Sequence, residues 1–124
     1  MIRDKHPDVA EHEAVYRALM HYVDGGGRAD IDEVKKGFHE RAVMNGVDAE
    51  GKCSFGPIEN LYELYRQVGP SDARTRVDIL DIAGSIAVAR ITIEGWHGQD
   101  FVDYHELVKQ DGEWKIVAKV FNQF

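Results

Sequence analysis

Two ionisable residues near the C-terminus, Asp103 and His105, have the spacing of a small proton-transfer site. They are two residues apart in a predicted β-strand, so both side chains would lie on one face of the sheet, roughly 7 Å apart. In a pocket, Asp103 could act as a general base or, when protonated, as a donor to a developing oxyanion. His105 could transfer protons near neutral pH. Each residue also has a structural interpretation, as a hydrogen-bonded side chain of the core.

The face on which this pair lies is predicted from the last hairpin. Asp111-Gly112 is typical of a two-residue turn. The register that follows places His105 opposite Ala118 and Asp103 opposite Val120, on a mainly apolar face. The small alanine would leave room beside the imidazole for water or a ligand. A shift of one residue would exchange the two faces of the sheet.

Two residues from the N-terminal half are candidates for the same site. Tyr16 lies on the predicted apolar stripe of the first helix, and His39 follows the second helix. A packed tyrosine with a satisfied hydroxyl group is the structural alternative for Tyr16. The residues expected to line a cavity, for which plain core packing is the alternative, are Tyr16, Met20, Phe55, Trp96, Phe101, Ala118, Val120 and Asn122.

The composition limits the classes of partner. The chain of 124 residues has the length of one domain, predicted to span residues 1–124. Its net charge of −7, with no long basic cluster, argues against nucleic-acid binding. No apolar segment is long enough to cross a membrane, and no signal peptide is recognisable, so a cytoplasmic location is expected. With one cysteine, Cys53, and no closely spaced histidines, neither a metal nor a cofactor is expected.

The order of predicted elements favours an α+β fold. Helices are predicted over 8–24, 30–36 and 57–68. The first is capped by Asp8 or by the turn that precedes it and is ended by Gly25–Gly27, and the second is capped by Asp30. Short strands over 42–45 and 52–55 precede the third helix. An antiparallel meander follows it, with strands over 73–82, 85–96, 100–109 and 113–122.

The architecture resembles the NTF2-like (SnoaL-like) superfamily, and within it the putative lumazine-binding-type subfamily. The likeness is carried by Phe38-His39, by the segment FVDYHEL at 101–107 and by the ending DGEWKIVAKVF at 111–121. It implies three N-terminal helices packed on a strongly curved, mainly antiparallel sheet of about four to six strands. It also implies a cone-shaped cavity for a small-molecule ligand, and a homodimer joined through sheet surfaces.

The resemblance leaves three functions open, because the superfamily includes isomerases, dehydratases, cyclases, binding modules and transport factors. The first hypothesis is a protein that binds a small apolar or aromatic molecule. The second is a cofactor-independent isomerase or dehydratase. Isomerases of the superfamily place a tyrosine of the first helix opposite an acid on a late strand, as Tyr16 and Asp103 would do, and His39 stands near the position of their base. The third is a dimeric protein-interaction module.

Overall fold

The computed structural model describes residues 9–124, which form three helices and six strands. The helices are α1 (Val9–Arg28), α2 (Ile31–Lys35) and α3 (Glu59–Val68). The strands are β1 (Phe38–Val47), β2 (Cys53–Pro57), β3 (Arg74–Ala83), β4 (Ile86–Trp96), β5 (Gln99–Gln110) and β6 (Glu113–Gln123). Asp8, the predicted cap of the first helix, lies outside the described residues. Within residues 9–124, no helix has the length and apolar character needed to span a membrane.

The strands form one curled sheet in the order β2-β1-β6-β5-β4-β3. Only β1 and β6 pair in parallel; the other neighbours are antiparallel. Two helices precede the sheet, and α3 lies between β2 and β3. The α+β class and the mainly antiparallel sheet predicted from the sequence are therefore confirmed. The predicted cap of α2 is also present, since the Asp30 side chain accepts a hydrogen bond from the backbone of Glu33.

The buried face of α1 is not the predicted one. Val15, Ala18, Leu19 and Tyr22 are buried, whereas Tyr16 is 44% exposed. Both sets of residues follow the helical period of three and four, so periodicity alone cannot choose between them. The observed face contains small residues, which allow the helix to approach its neighbours closely.

Helix α1 continues through the three glycines that were predicted to end it. A Cβ atom built on Gly26 would stand 2.8 Å from the hydroxyl oxygen of Tyr65, so this glycine permits close packing of α1 against α3. The helix ends at Arg28, and the next residue, Ala29, has a left-handed backbone with φ of 53°. The prediction of an end at residue 24 was wrong because these glycines serve packing rather than termination.

The last hairpin contains a β-bulge that changes the predicted register. The turn at Asp111-Gly112 is confirmed, and Leu107 pairs with Ile116 as predicted. The next pair is Glu106 with Ala118, so Val117 is an extra residue in β6. Beyond this point every predicted pair is displaced by one residue. His105 therefore lies opposite Lys119 rather than Ala118, and Asp103 lies opposite Phe121 rather than Val120.

Candidate functional site

Asp103 is the centre of a buried polar cluster on the concave side of the sheet. The hydroxyl group of Tyr22, on α1, donates a hydrogen bond of 2.8 Å to Asp103 Oδ2. His105 Nε2 lies 3.3 Å from the same oxygen. Asp103 and His105 have no solvent-exposed surface, and Tyr22 is 5% exposed. The helix and the strand thus hold the carboxylate from two sides.

Lys119 brings a cation into this cluster. Its Nζ lies 3.7 Å from Asp103 Oδ2, which is an ion-pair contact longer than a hydrogen bond. The same nitrogen lies 4.7 Å from the ring centre of Phe121 and 5.9 Å from that of Tyr22. Only 5% of the residue is exposed. A lysine buried to this degree is uncommon unless it is paired, and Asp103 is the partner that the geometry provides.

Two buried atoms of the cluster have no hydrogen-bond partner among residues 9–124. They are Asp103 Oδ1 and His105 Nδ1. Buried polar atoms are nearly always paired in folded proteins, and the exceptions are often associated with a function or an unseen partner. Asp103 is therefore a carboxylate with one oxygen fixed by donors and the other free to accept a proton or a hydrogen bond.

The surroundings determine the charge of each group. Burial alone would raise the pKa of Asp103, but Lys119, His105 and Tyr22 together lower that pKa below its usual value. Burial lowers the pKa of His105, although the neighbouring carboxylate opposes the shift. Burial, followed by the charge of Asp103, raises the pKa of Tyr22 well above its usual value. At neutral pH the cluster therefore contains an ionised aspartate, a neutral histidine and a protonated tyrosine.

Because the pKa of His105 is lowered in the folded protein, the free energy of unfolding depends on pH. In the unfolded chain the imidazole takes up a proton near its ordinary pKa of 6.5, whereas in the folded protein it resists protonation. The free energy of unfolding should therefore fall below that pH, by up to about 1.4 kcal/mol per pH unit. We expect His105→Gln to flatten this dependence between about pH 7 and pH 5, as measured by urea unfolding. The exposed His12→Gln is the control; an equal flattening there would contradict the assignment.

A cavity of about 660 Å³ opens beside the cluster. Its inner wall includes Tyr22, Tyr65, Asp103 and Lys119, all buried. Most of the remaining wall is apolar or aromatic, and charged or polar residues such as Asp24, Arg28, Asp72 and Gln99 stand where the cavity meets solvent. This distribution, apolar with a few polar groups at fixed places, is typical of small-molecule sites.

Several predicted site residues contribute to this region. Trp96, Phe101 and Asp103 are part of the cavity wall. The rings of Trp96 and Phe101 are 5.9 Å apart in an edge-to-face arrangement. His105 lies behind the wall, with its ring 5.0 Å from that of Tyr22 and 6.2 Å from that of Phe38.

The other candidates from the N-terminal half lie elsewhere. The described residues that line the cavity do not include Tyr16, Met20 or Phe55. Phe55 is 78% exposed, on the edge strand β2. His39 Nε2 contacts the side chain of Gln110 at 3.3 Å, away from Asp103. The prediction that Tyr16 and His39 converge on Asp103 is corrected. Helix α1 turns a different face toward the sheet, which leaves Tyr16 exposed. His39 lies in β1 beside Gln110, at the end of β5, seven residues along the strand from Asp103.

The bulge explains the three corrections in β6. Ala118, Val120 and Asn122 were predicted to face the cavity, but the extra residue at Val117 directs them to the convex side. Val120 is 44% exposed. The alternate residues Lys119 and Phe121 form the wall in their place.

Sequence reasoning missed Tyr22 and Lys119. For Tyr22 a signal was present, since it continues the helical spacing of Val15, Ala18 and Leu19. For Lys119 the signal is weaker: the apolar run Ile116–Ala118 interrupts the alternation of β6, which is compatible with a bulge but does not require one.

Comparison with known proteins gives consistent matches over nearly the whole chain. The model of the family described as putative lumazine-binding matches residues 10–122. A curated protein named Aldolase FrzH, from Cladobotryum sp, is 26% identical over 122 residues, which cover 97% of each chain.

Solved structures show the same fold. An NTF2-like protein of unknown function from Shewanella baltica is 30% identical, with a TM-score of 0.86 over 97% of this chain and 98% of that one. A second one, from Methylobacillus flagellatus, is 32% identical, with a TM-score of 0.87 over 95% of each chain.

Proposed function

Because this chain belongs to the putative lumazine-binding family of NTF2-like proteins, we propose that it binds a small molecule, and that this molecule is a largely apolar ketone or aldehyde. We propose further that the protein removes a proton from the carbon beside the carbonyl group, using its own side chains. This chemistry belongs to the isomerase and dehydratase class, the second of the three hypotheses drawn from the sequence.

The arrangement of Asp103 carries the proposal. Tyr22 and His105 hold Oδ2, while Oδ1 has no partner, at the inner end of a mainly apolar cavity. A carboxylate fixed in this way can accept a proton through Oδ1 without first reorienting. The cation of Lys119 stands near enough to stabilise the negative charge that develops on the carbonyl oxygen. A base and a cation therefore lie side by side on the wall.

The name of one relative fits the same chemistry. Aldolase FrzH is 26% identical to this chain over 122 residues. Isomerisation, elimination of water and aldol addition can all begin with loss of a proton beside a carbonyl group. The proposed step is the part that these reactions share, so it does not depend on which product forms.

A protein that binds such a molecule without converting it is the second candidate. It is favoured by the complete burial of Asp103, since a substrate would reach Oδ1 only after a neighbouring side chain moved. The lowered pKa of Asp103 also makes it a weak base. The interaction-module hypothesis does not account for a cavity of this volume.

Proton exchange separates these candidates. We would incubate the protein with benzylacetone, an apolar aromatic ketone, in D₂O and follow the signals of the hydrogens beside the carbonyl by NMR. The proposed function predicts faster loss of these signals than in buffer with an equal concentration of the heat-denatured chain. Saturable binding without exchange would favour the binding protein, and absence of both would contradict the proposal.

We also propose that the convex face of the sheet joins two copies of the chain. Two cross-strand pairs of exposed apolar residues lie there, Tyr104 with Val120 and Ile86 with Val108. Their exposed fractions range from 36% to 59%. Exposed apolar patches of this kind are typical of surfaces that associate.

Introducing a charge on this patch should separate the copies. We expect Tyr104→Glu to halve the molar mass measured by light scattering after gel filtration, because a buried unpaired carboxylate opposes association. Val9→Glu, at a residue that is 75% exposed on α1, should leave the mass unchanged. A wild-type protein that elutes with the mass of one chain would contradict the dimer.

A further inference from the structure

Lys119 places a primary amino group, a nucleophile when it is unprotonated, on the wall of the cavity beside Asp103. We infer that Lys119 forms an imine with the carbonyl carbon of the substrate, so that the site acts on aldehydes and ketones by covalent catalysis. This inference rests on the proposed function, because it states how the same site holds the carbonyl group that the proposed function requires. Asp103 then acts on a bound iminium ion rather than on a free ketone.

The position of Lys119 supports this role. The bulge at Val117 turns the residue inward, and its side chain reaches the cavity wall beside Asp103. The distance of 3.7 Å between Nζ and Asp103 Oδ2 permits proton exchange after a small rotation but does not fix the amino group in a hydrogen bond. The amino group lies over the ring of Phe121, 4.7 Å from its centre, and only 5% of the residue is exposed. The nitrogen is therefore held near the base yet remains available.

The surroundings also favour the reactive form of the amine. Burial lowers the pKa of Lys119, and the nearby carboxylate of Asp103 only partly opposes this shift. A lysine must lose its proton before it can attack a carbonyl carbon, and desolvation is one of the ways by which proteins achieve this. The other lysines with side-chain contacts on the same hairpin are bound differently: Lys109 contacts Glu11, and Lys115 donates to the carbonyl of Lys36 at 2.8 Å.

The step balances with the groups that are present. Asp103 takes a proton from the Lys119 ammonium ion, and the free amine forms a C–N bond while the carbonyl π electrons move to oxygen. After a proton moves from nitrogen to that oxygen, Asp103 returns its proton to the hydroxyl group, which leaves as water. Ammonium and ketone thus give an iminium ion and water. Asp103 can then remove a proton from the adjacent carbon, leaving a neutral enamine.

The inference restricts the substrate class. Aldehydes and ketones lose their oxygen as water in this step, whereas carboxylic acids, esters and amides do not form imines in this way. The enamine carbon is nucleophilic, and a second aldehyde or ketone that enters the cavity would form a C–C bond to it. Hydrolysis of the resulting iminium ion would release an aldol product and regenerate Lys119.

Reductive trapping tests this inference on the wild-type protein. The chain would be incubated with benzylacetone and sodium cyanoborohydride, digested, and mapped by mass spectrometry. Hydride addition to the iminium carbon should leave one benzylacetone-derived alkyl group on Lys119, formed well before any label on the remaining lysines. Lys119→Arg, which keeps the positive charge beside Asp103, should lose this label, and the matched Lys115→Arg on the same strand should retain it.

The results also separate this inference from the proposed function. Exchange of benzylacetone protons without a trapped adduct on Lys119 would overturn the imine and leave the proposed function intact. Label spread evenly over the exposed lysines would overturn it as well. Absence of both exchange and adduct would overturn both proposals, and these wild-type measurements do not depend on whether the Lys119→Arg variant folds.

Discussion

Asp103→Asn is expected to slow the exchange of ketone protons by about 100-fold to 10,000-fold, the usual effect of losing a general base. The amide has nearly the shape of the carboxylate and can still accept a hydrogen bond from Tyr22, but it cannot take up the substrate proton. Benzylacetone should still bind, because the apolar wall that includes Trp96 and Phe101 is unchanged. The measurement is the NMR exchange rate at saturating ketone, with binding followed by tryptophan fluorescence.

Asp72→Asn is the matched control for this variant. Asp72 stands exposed at the mouth of the cavity, so the same change of charge occurs at the same cavity but away from the cluster. Its exchange rate should remain close to that of the wild-type protein. A rate for Asp103→Asn within a few-fold of wild type would show that Asp103 is a structural carboxylate.

Asp103→Leu should lower the free energy of unfolding by about 3–5 kcal/mol, because it leaves the cation of Lys119 buried without its partner. The double variant Asp103→Leu/Lys119→Met should recover a large part of this loss, since it removes both charges and fills the space with apolar atoms of similar volume. Urea unfolding of the wild-type protein, both single variants and the double variant measures the coupling between the two residues.

These four proteins form a double-mutant cycle, which measures how much the ion pair between Asp103 and Lys119 contributes to the free energy of unfolding. If the two single effects simply add, Lys119 and Asp103 do not interact across the 3.7 Å that separates them. If the double variant is more stable than the wild-type protein but inactive in ketone exchange, the charges are retained for chemistry at the expense of stability. Active sites commonly show such a trade-off.

Much of the fold could be predicted because local signals agree with it. The turn at Asp111-Gly112 has positive φ at both residues, 52° and 80°, which this pair of residue types adopts readily. The cap at Asp30 acts within one helical turn. The buried face of α1 was mispredicted because it depends on what packs against the helix. The helix contains two apolar stripes, and only the packing with α3 and the sheet selects the one with Tyr22.

The candidate site was predicted in part for the same reason. Strand β5 alternates regularly over 101–107, so parity placed Asp103 and His105 on the concave side. Strand β6 alternates regularly only up to Val117, and counting from the turn assigned the wrong face to Ala118 and to every residue after it. The residue types around Val117 do not distinguish a strand with a bulge from a regular strand, so the bulge could not be predicted from them.

The extra residue at Val117 therefore determines the chemistry of the cavity. If the same strand ran without it, a neutral surface of alanine, valine and asparagine would face Asp103, and Lys119 would stand in water on the convex side. The attraction between Asp103 and Lys119 opposes any change in the position of the bulge. If the bulge moved along β6, Lys119 would leave the cavity and Asp103 would remain buried without its partner. The ion pair thus stabilises one register of β6 against β5. In a relative that lacks the lysine, this interaction no longer favours that register over others.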